Sequence, residues 1–105
     1  MSKYTDMKRT YDETGLAYFS MAMSHLLDIG WRRAEALTDE VIAHEVAEQK
    51  KADEQAQAEG TVLLLTPDFI EWILIFVRDW ATKYSPVETM QFIEKVRLYD
   101  TKYFK

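Results

Sequence analysis

The segment that most constrains the fold runs from Thr66 to Tyr84. It opens with Thr66-Pro67-Asp68, which supplies a hydroxyl N-cap, a proline at the first helical position and an acid in the first turn. Large apolar residues then follow almost without a break, and a helix that is apolar on nearly all sides must be covered by neighbouring elements. The segment predicts a central helix with five mostly buried residues: Phe69, Ile73, Phe76, Val77 and Trp80.

Two further helices are predicted before residue 31. Tyr4, Met7 and Tyr11 are spaced three and four apart, which places them on one side of a helix. The pattern breaks near Gly15 and then resumes in a stronger helix that ends at Gly30, a residue suited to helix termination. The apolar residues of that second helix are Leu16, Phe19, Met23 and Leu26.

The middle and the end of the chain also favour helices. Thr38 is a plausible N-cap followed by two acids, but residues 48–60 contain only alanine among apolar types, which is typical of a solvated helical extension or a linker. Residues 61–65 (TVLLL) remain open between helix, strand and connector. Ser85 opens a last helix, with Glu88 three residues later as its reciprocal capping partner.

These elements predict an all-α fold. We expect residues 1–105 to form one helical domain, a compact bundle or orthogonal array of four to five helices, with the Ala/Glu/Gln/Lys-rich solvated helix in the middle of the chain. The chain has enough core-forming residues for this, because 48% are hydrophobic and 13% are aromatic.

Several function classes are disfavoured by what the sequence lacks. Without cysteine it has no thiolate metal site or cysteine nucleophile, and three separated glycines cannot form a phosphate-binding loop. No catalytic residue and no cofactor is therefore predicted. The longest apolar stretch, residues 69–77, is interrupted by Glu71 and is well short of the ~20 residues that span a membrane. We expect a cytoplasmic protein without membrane contact.

One combination of residues suggests a metal site. His44 has Glu40 and Glu48 four residues to either side, and His25 from another helix is a candidate fourth ligand. Imidazole with carboxylates suits zinc, manganese or iron. A metal-dependent enzyme or metal-binding protein is thus the alternative function, although His and Glu at this spacing are common on exposed helices.

The charge distribution favours a different function. Residues 38–60 contain seven acids and two lysines, a net charge of −5, which equals the net charge of the whole chain. A surface of one sign steers association with an oppositely charged partner. We therefore expect a small non-enzymatic binding protein, an adaptor, regulator or inhibitor of the kind that phages and other mobile elements encode. Its predicted contacts to a basic protein partner are Glu45, Glu48, Asp53 and Glu54.

Two weaker expectations concern other surfaces. The C-terminus carries Lys95, Arg97, Lys102 and Lys105 among aromatic residues, a pattern found in nucleic-acid-binding segments, but the acidity of the chain argues against that function. The apolar side of the second helix, from Leu16 to Leu26, is a candidate seam for a homodimer.

Overall fold

The structure is a computed structural model that describes residues 3–61 and 66–99. Within these residues it contains six α-helices: α1 (Lys3–Thr14), α2 (Leu16–Ile29), α3 (Trp31–Glu35), α4 (Asp39–Ala58), α5 (Pro67–Lys83) and α6 (Pro86–Tyr99). The predicted all-α class is confirmed. The predicted number of helices was too low because α3, with five residues, is too short to produce a periodic pattern. The undecided segment 62–65 lies outside the described residues.

The three predicted helix starts are confirmed by their hydrogen bonds. The hydroxyls of Thr38 and Thr66 each accept a bond of 3.1 Å, from the backbone N–H of Val41 and Phe69 respectively. At the start of α6, Ser85 and Glu88 form a capping box. The Ser85 N–H donates to Glu88 Oε1 at 3.0 Å, and the Glu88 N–H donates to Ser85 Oγ at 3.1 Å.

Two glycines separate the first three helices. Gly15 and Gly30 both have φ of 89°, with ψ of 153° and 150°. This region of backbone space is essentially restricted to glycine. The chain changes direction there between helices without an intervening loop, because Gly30 accepts the Ala34 N–H at 3.0 Å while donating to the Leu26 carbonyl at 2.8 Å.

Helix α5 is central, but it is less covered than its sequence predicts. It packs against α2, α3 and α4, and Ile73, Val77 and Trp80 are buried as expected. Phe69 and Phe76 are partly buried and pack against the edge of the core. The three neighbouring helices cover one side of α5 and leave the other open, where Trp72 is 36% exposed.

An aromatic cluster joins α5 to the two ends of the chain. Phe19 on α2 lies at its centre, with ring centroids 5.1 Å from Tyr11, 5.4 Å from Trp80 and 6.0 Å from Phe92. The buried indole N–H of Trp80 donates to Thr89 Oγ1 at 2.8 Å, which ties α5 to α6. The described core is therefore built from side chains that are far apart in the sequence.

Helix α4 runs antiparallel to α5 and is the longer of the two. Asp39, at the start of α4, lies beside Arg78 with 2.7 Å between Oδ1 and the guanidinium Nη1. At 1.5 Å per residue, α5 reaches back about 17 Å from Arg78 to its first residue, whereas α4 runs about 29 Å from Asp39 to its last. Helix α4 is thus the longer of the two, and Ala56 near its end is buried. The polar segment that begins at residue 48 is helical as far as Ala58. The protein measures 47 × 31 × 21 Å along its principal axes.

Candidate protein-binding surface

Only one side of α4 packs against the rest of the protein. Its less accessible residues are Ile42 and Ala56, which are buried, and Val46, Gln49 and Asp53, which are half-buried. They are spaced four, three, four and three apart, the spacing of a single helical stripe. Most of the remaining circumference of α4 faces solvent.

The four predicted contact acids do not lie together on this helix. Glu45 and Glu48 are exposed and share one flank of α4 with Val41. Asp53 belongs to the packed stripe and is half-buried. Glu54 is exposed about 180° around the helix from Glu45, because each residue advances by about 100°. We call the exposed surface formed by Val41, Glu45 and Glu48 the α4 flank.

Local interactions of these acids are weak. Glu48 lies 3.5 Å from the Lys51 ammonium, and Asp53 accepts a 3.3 Å hydrogen bond from Gln57. Exposed pairs of this kind contribute little to stability. In residues 3–61 and 66–99, no ion pair involves Glu45 or Glu54. The exposed carboxylates of Glu45 and Glu54 are therefore available for contact with another molecule.

An apolar groove of about 370 Å³ borders the α4 flank. Helices α2, α3, α4 and α5 surround it, together with the turn after α3. Its apolar lining consists of Ile29, Ala36, Leu37, Val41, Ile70 and Leu74, and its polar lining consists of His25, Arg33 and Glu45. Glu45 and Val41 belong to both features, so the groove and the α4 flank form one continuous surface. Such a surface can accept an apolar side chain while its acids contact basic neighbours of that side chain.

No feature of the sequence pointed directly to this groove. Arg33, Ile70 and Leu74 carried no predicted role, and His25 appeared only as a metal candidate. The signal that was available is Val41, a β-branched residue on the same side of the acidic helix as Glu45 and Glu48. It is 42% exposed.

The predicted metal ligands are distributed over two surfaces. Glu40, His44 and Glu48 are exposed on α4, while His25 lies half-buried in the groove. Within the part of the chain that the structure describes, no group of three or more His, Cys, Asp or Glu residues is arranged to hold a metal ion. The sequence spacing alone does not assemble such a site, because Glu40 and Glu48 are about 12 Å apart along the helix axis.

Two groups with shifted pKa values, Glu88 and Tyr84, lie at the junction of α5 and α6. The Lys3 ammonium, 2.8 Å from Glu88, and the Ser85 N–H hold the pKa of the Glu88 carboxyl below its usual value. Burial raises the pKa of the Tyr84 hydroxyl. The Tyr84 carbonyl also accepts a 2.9 Å hydrogen bond from the Trp31 indole. These groups hold helices together.

The predicted dimer seam is not a surface. Phe19, Met23 and Leu26 are buried in the protein's own core, where they pack against neighbouring helices, so that prediction was wrong. Other large apolar residues are exposed instead, namely Tyr18, Met21, Leu27, Val41, Trp72, Ile75, Val87 and Met90. Self-association itself, apart from this seam, remains a prediction.

The basic C-terminus is only partly described. Lys95 is exposed, and its ammonium lies 4.7 Å from the ring centroid of Tyr4. The side chain of Arg97 and all of Lys102 and Lys105 lie outside the described residues. The nucleic-acid alternative therefore stays a prediction.

Comparison of the chain with models of protein families, with curated proteins and with solved structures finds no match. Among the helices described, none is both long enough and apolar enough to cross a bilayer.

Proposed function

We propose that this protein is a small non-enzymatic binding protein that docks onto a basic protein surface through its groove and α4 flank. The observation that carries the proposal is the position of Glu45, which stands where the apolar groove meets the exposed acidic flank. An apolar centre bordered by polar groups is the usual anatomy of a protein interface.

Charge supports the choice of partner. Residues 38–60 carry a net charge of −5, and the acids and bases in the rest of the chain balance. The field of α4 therefore attracts a basic surface and accelerates its association. The groove then supplies specificity, because a pocket that excludes water around an anchor side chain is where binding energy concentrates.

The proposal extends to the biological setting. We propose that the protein acts in the cytoplasm as an adaptor, regulator or inhibitor. The small size of the chain and its concentrated acidity suit an inhibitor encoded by a phage or another mobile element, which blocks a basic surface on a larger machine. A homodimer formed through exposed apolar residues outside the groove and the α4 flank is compatible with this role, because both would remain free.

A capture experiment with matched charge reversals tests the proposal. Wild-type protein, Glu45→Lys and Glu48→Lys serve as baits in lysate from the native cell, and Glu54→Lys is the control with the same charge change on the opposite side of α4. We expect the wild type and Glu54→Lys to retain the same partner, and the two flank variants to lose it.

The dependence on salt provides a second criterion. Retention by the wild type should decrease as ionic strength rises, because screening shortens the reach of surface charges. If all three variants capture the partner equally well, α4 serves only solubility. If all three lose it equally, the partner recognises net charge and not the α4 flank.

A further inference from the structure

Three aromatic side chains meet at the surface where α1 ends and where α2 and α5 begin. Tyr18 is 53% exposed, Trp72 is 36% exposed and Phe69 is half-buried. The Tyr18 ring centroid lies 5.8 Å from that of Trp72 and 6.1 Å from that of Phe69, and the latter two are 5.8 Å apart. Soluble proteins usually cover rings of this size, so an open group of three is a candidate binding surface.

These rings line a pocket with a carboxylate beside it. The pocket has a volume of about 360 Å³, and its remaining lining residues are Glu13 and Thr14 at the end of α1. The planes of Tyr18 and Trp72 are inclined by 69°, whereas those of Phe69 and Trp72 differ by only 35°. The rings thus form two walls of a corner. We call this feature the aromatic pocket.

The electrostatics of α1 make the aromatic pocket negative. The C-terminal end of a helix carries partial negative charge, which basic side chains normally offset. The last turn of α1 contains no basic residue, and its sequence ends in Asp12, Glu13 and Thr14. Lys8 pairs with Asp12 at 2.7 Å, but in residues 3–61 and 66–99 no ion pair involves Glu13. An unneutralised acid therefore stands at the negative end of a helix, next to exposed rings.

From this arrangement we infer that the aromatic pocket binds an alkylammonium group. The faces of aromatic rings attract cations, and a quaternary or primary ammonium combines that attraction with apolar contact. Glu13 and the end of α1 add charge complementarity that a neutral apolar ligand would not use. The ammonium belongs either to a small quaternary amine or to a lysine side chain of another protein. The aromatic pocket shares no lining residue with the groove. Binding of an ammonium group there does not depend on the function proposed for the groove.

Nuclear magnetic resonance of the tryptophan indole N–H groups offers a direct test. Trp31 and Trp80 donate their indole N–H to Tyr84 and Thr89, so they are internal references. Trp72 reports on the aromatic pocket. We compare choline with its uncharged isostere 3,3-dimethylbutan-1-ol, and Nα-acetyllysine amide with Nα-acetylnorleucine amide. The two pairs distinguish a small amine from a lysine side chain, and each contains a control without charge.

We expect at least one cation of the two pairs to shift the Trp72 resonance at millimolar concentration, and its neutral isostere to bind at least about fivefold more weakly. Trp72→Leu keeps apolar area but removes the ring, and it should weaken the cation at least about fivefold. Glu13→Gln should weaken it as well, while Glu94→Gln on α6 should not. Circular dichroism confirms that each variant is folded.

Three results would overturn the inference. Equal binding of a cation and its isostere would show that the aromatic pocket is merely apolar. Absence of any shift at Trp72 would show that it binds neither cation. A Trp72 resonance that moves with protein concentration, together with a doubled mass in light scattering, would show that a second copy of the chain covers these rings.

Discussion

Replacing Thr89 by valine should lower the free energy of unfolding by about 1–3 kcal/mol. Thr89 is 1% exposed, and its hydroxyl accepts the indole N–H of Trp80, which is 2% exposed. Valine has nearly the same shape but cannot accept a hydrogen bond, so the indole N–H is left buried without a partner. The Thr89 hydroxyl also donates to the Ser85 carbonyl at 2.9 Å, and valine removes this bond too. That carbonyl is not left without a partner, because it still accepts the Thr89 backbone N–H at 3.0 Å. One orphaned buried donor costs about 1–3 kcal/mol of unfolding free energy.

Equilibrium unfolding in urea, followed by circular dichroism at the helical band, measures this cost. With a typical slope of about 1–3 kcal/mol per molar urea, the midpoint should fall by roughly 1 M. Thr82→Val is the control, since Thr82 is exposed and its hydroxyl donates to the Asp79 carbonyl of its own helix. That variant should stay within about 0.5 kcal/mol of the wild type.

A double-mutant cycle separates the hydrogen bond from packing. In a Trp80→Phe background the donor is absent, so adding Thr89→Val should cost much less than it does in the wild type. The reasoning is refuted if Thr89→Val alone changes stability by less than about 0.5 kcal/mol, or if the two substitutions are additive.

Three further predictions concern the core, the helix junctions and the effect of pH. Phe19→Ala should lower the free energy of unfolding by about 3–5 kcal/mol. The loss should exceed that of Phe76→Ala, because Phe19 is buried at the centre of the aromatic cluster and Phe76 is half-buried. Urea unfolding of both variants checks the order. Gly15→Ala should cost about 1–3 kcal/mol through backbone strain alone, since no atom would contact the added Cβ; a thermal melt compared with exposed Ala17→Gly detects it. Because the pKa of Glu88 is lowered in the folded protein, its carboxylate stabilises the fold at neutral pH, and this stabilisation is lost as the pH falls through that pKa. The difference in unfolding free energy between wild type and Glu88→Gln should therefore vanish in acid. A difference that grows in acid contradicts the assignment.

Features that depend on neighbouring residues in the chain could be predicted from the sequence. The caps at Thr38, Thr66 and Ser85 each involve a side chain and a backbone group three residues apart, so the residue types alone identify them. The break at Gly15 follows from the interrupted apolar pattern, and the backbone angle that requires glycine there confirms it.

Features that depend on how helices are arranged could not be predicted in the same way. The apolar pattern of α5 suggests burial on nearly all sides, but Trp72 and Ile75 stay exposed because neighbouring helices cover only one side. The acidity of α4 was evident, yet adjacent residues point about 100° apart, so Asp53 joins the packed stripe while Glu54 does not. The groove combines residues from four helices, and its existence depends on their tertiary packing.

The central claim is that the groove and the α4 flank bind another protein. Site-specific photo-crosslinking in the native cell tests this claim most directly. A benzophenone amino acid at Val41 would stand in the groove beside Glu45 without changing any charge. The matched control is Ala43, which is exposed on the same turn of α4 but about 160° around the helix. The account predicts a discrete adduct with one protein from position 41, weakened by Glu45→Lys, and none from position 43. Identical adducts from both positions, or none from position 41, would contradict it.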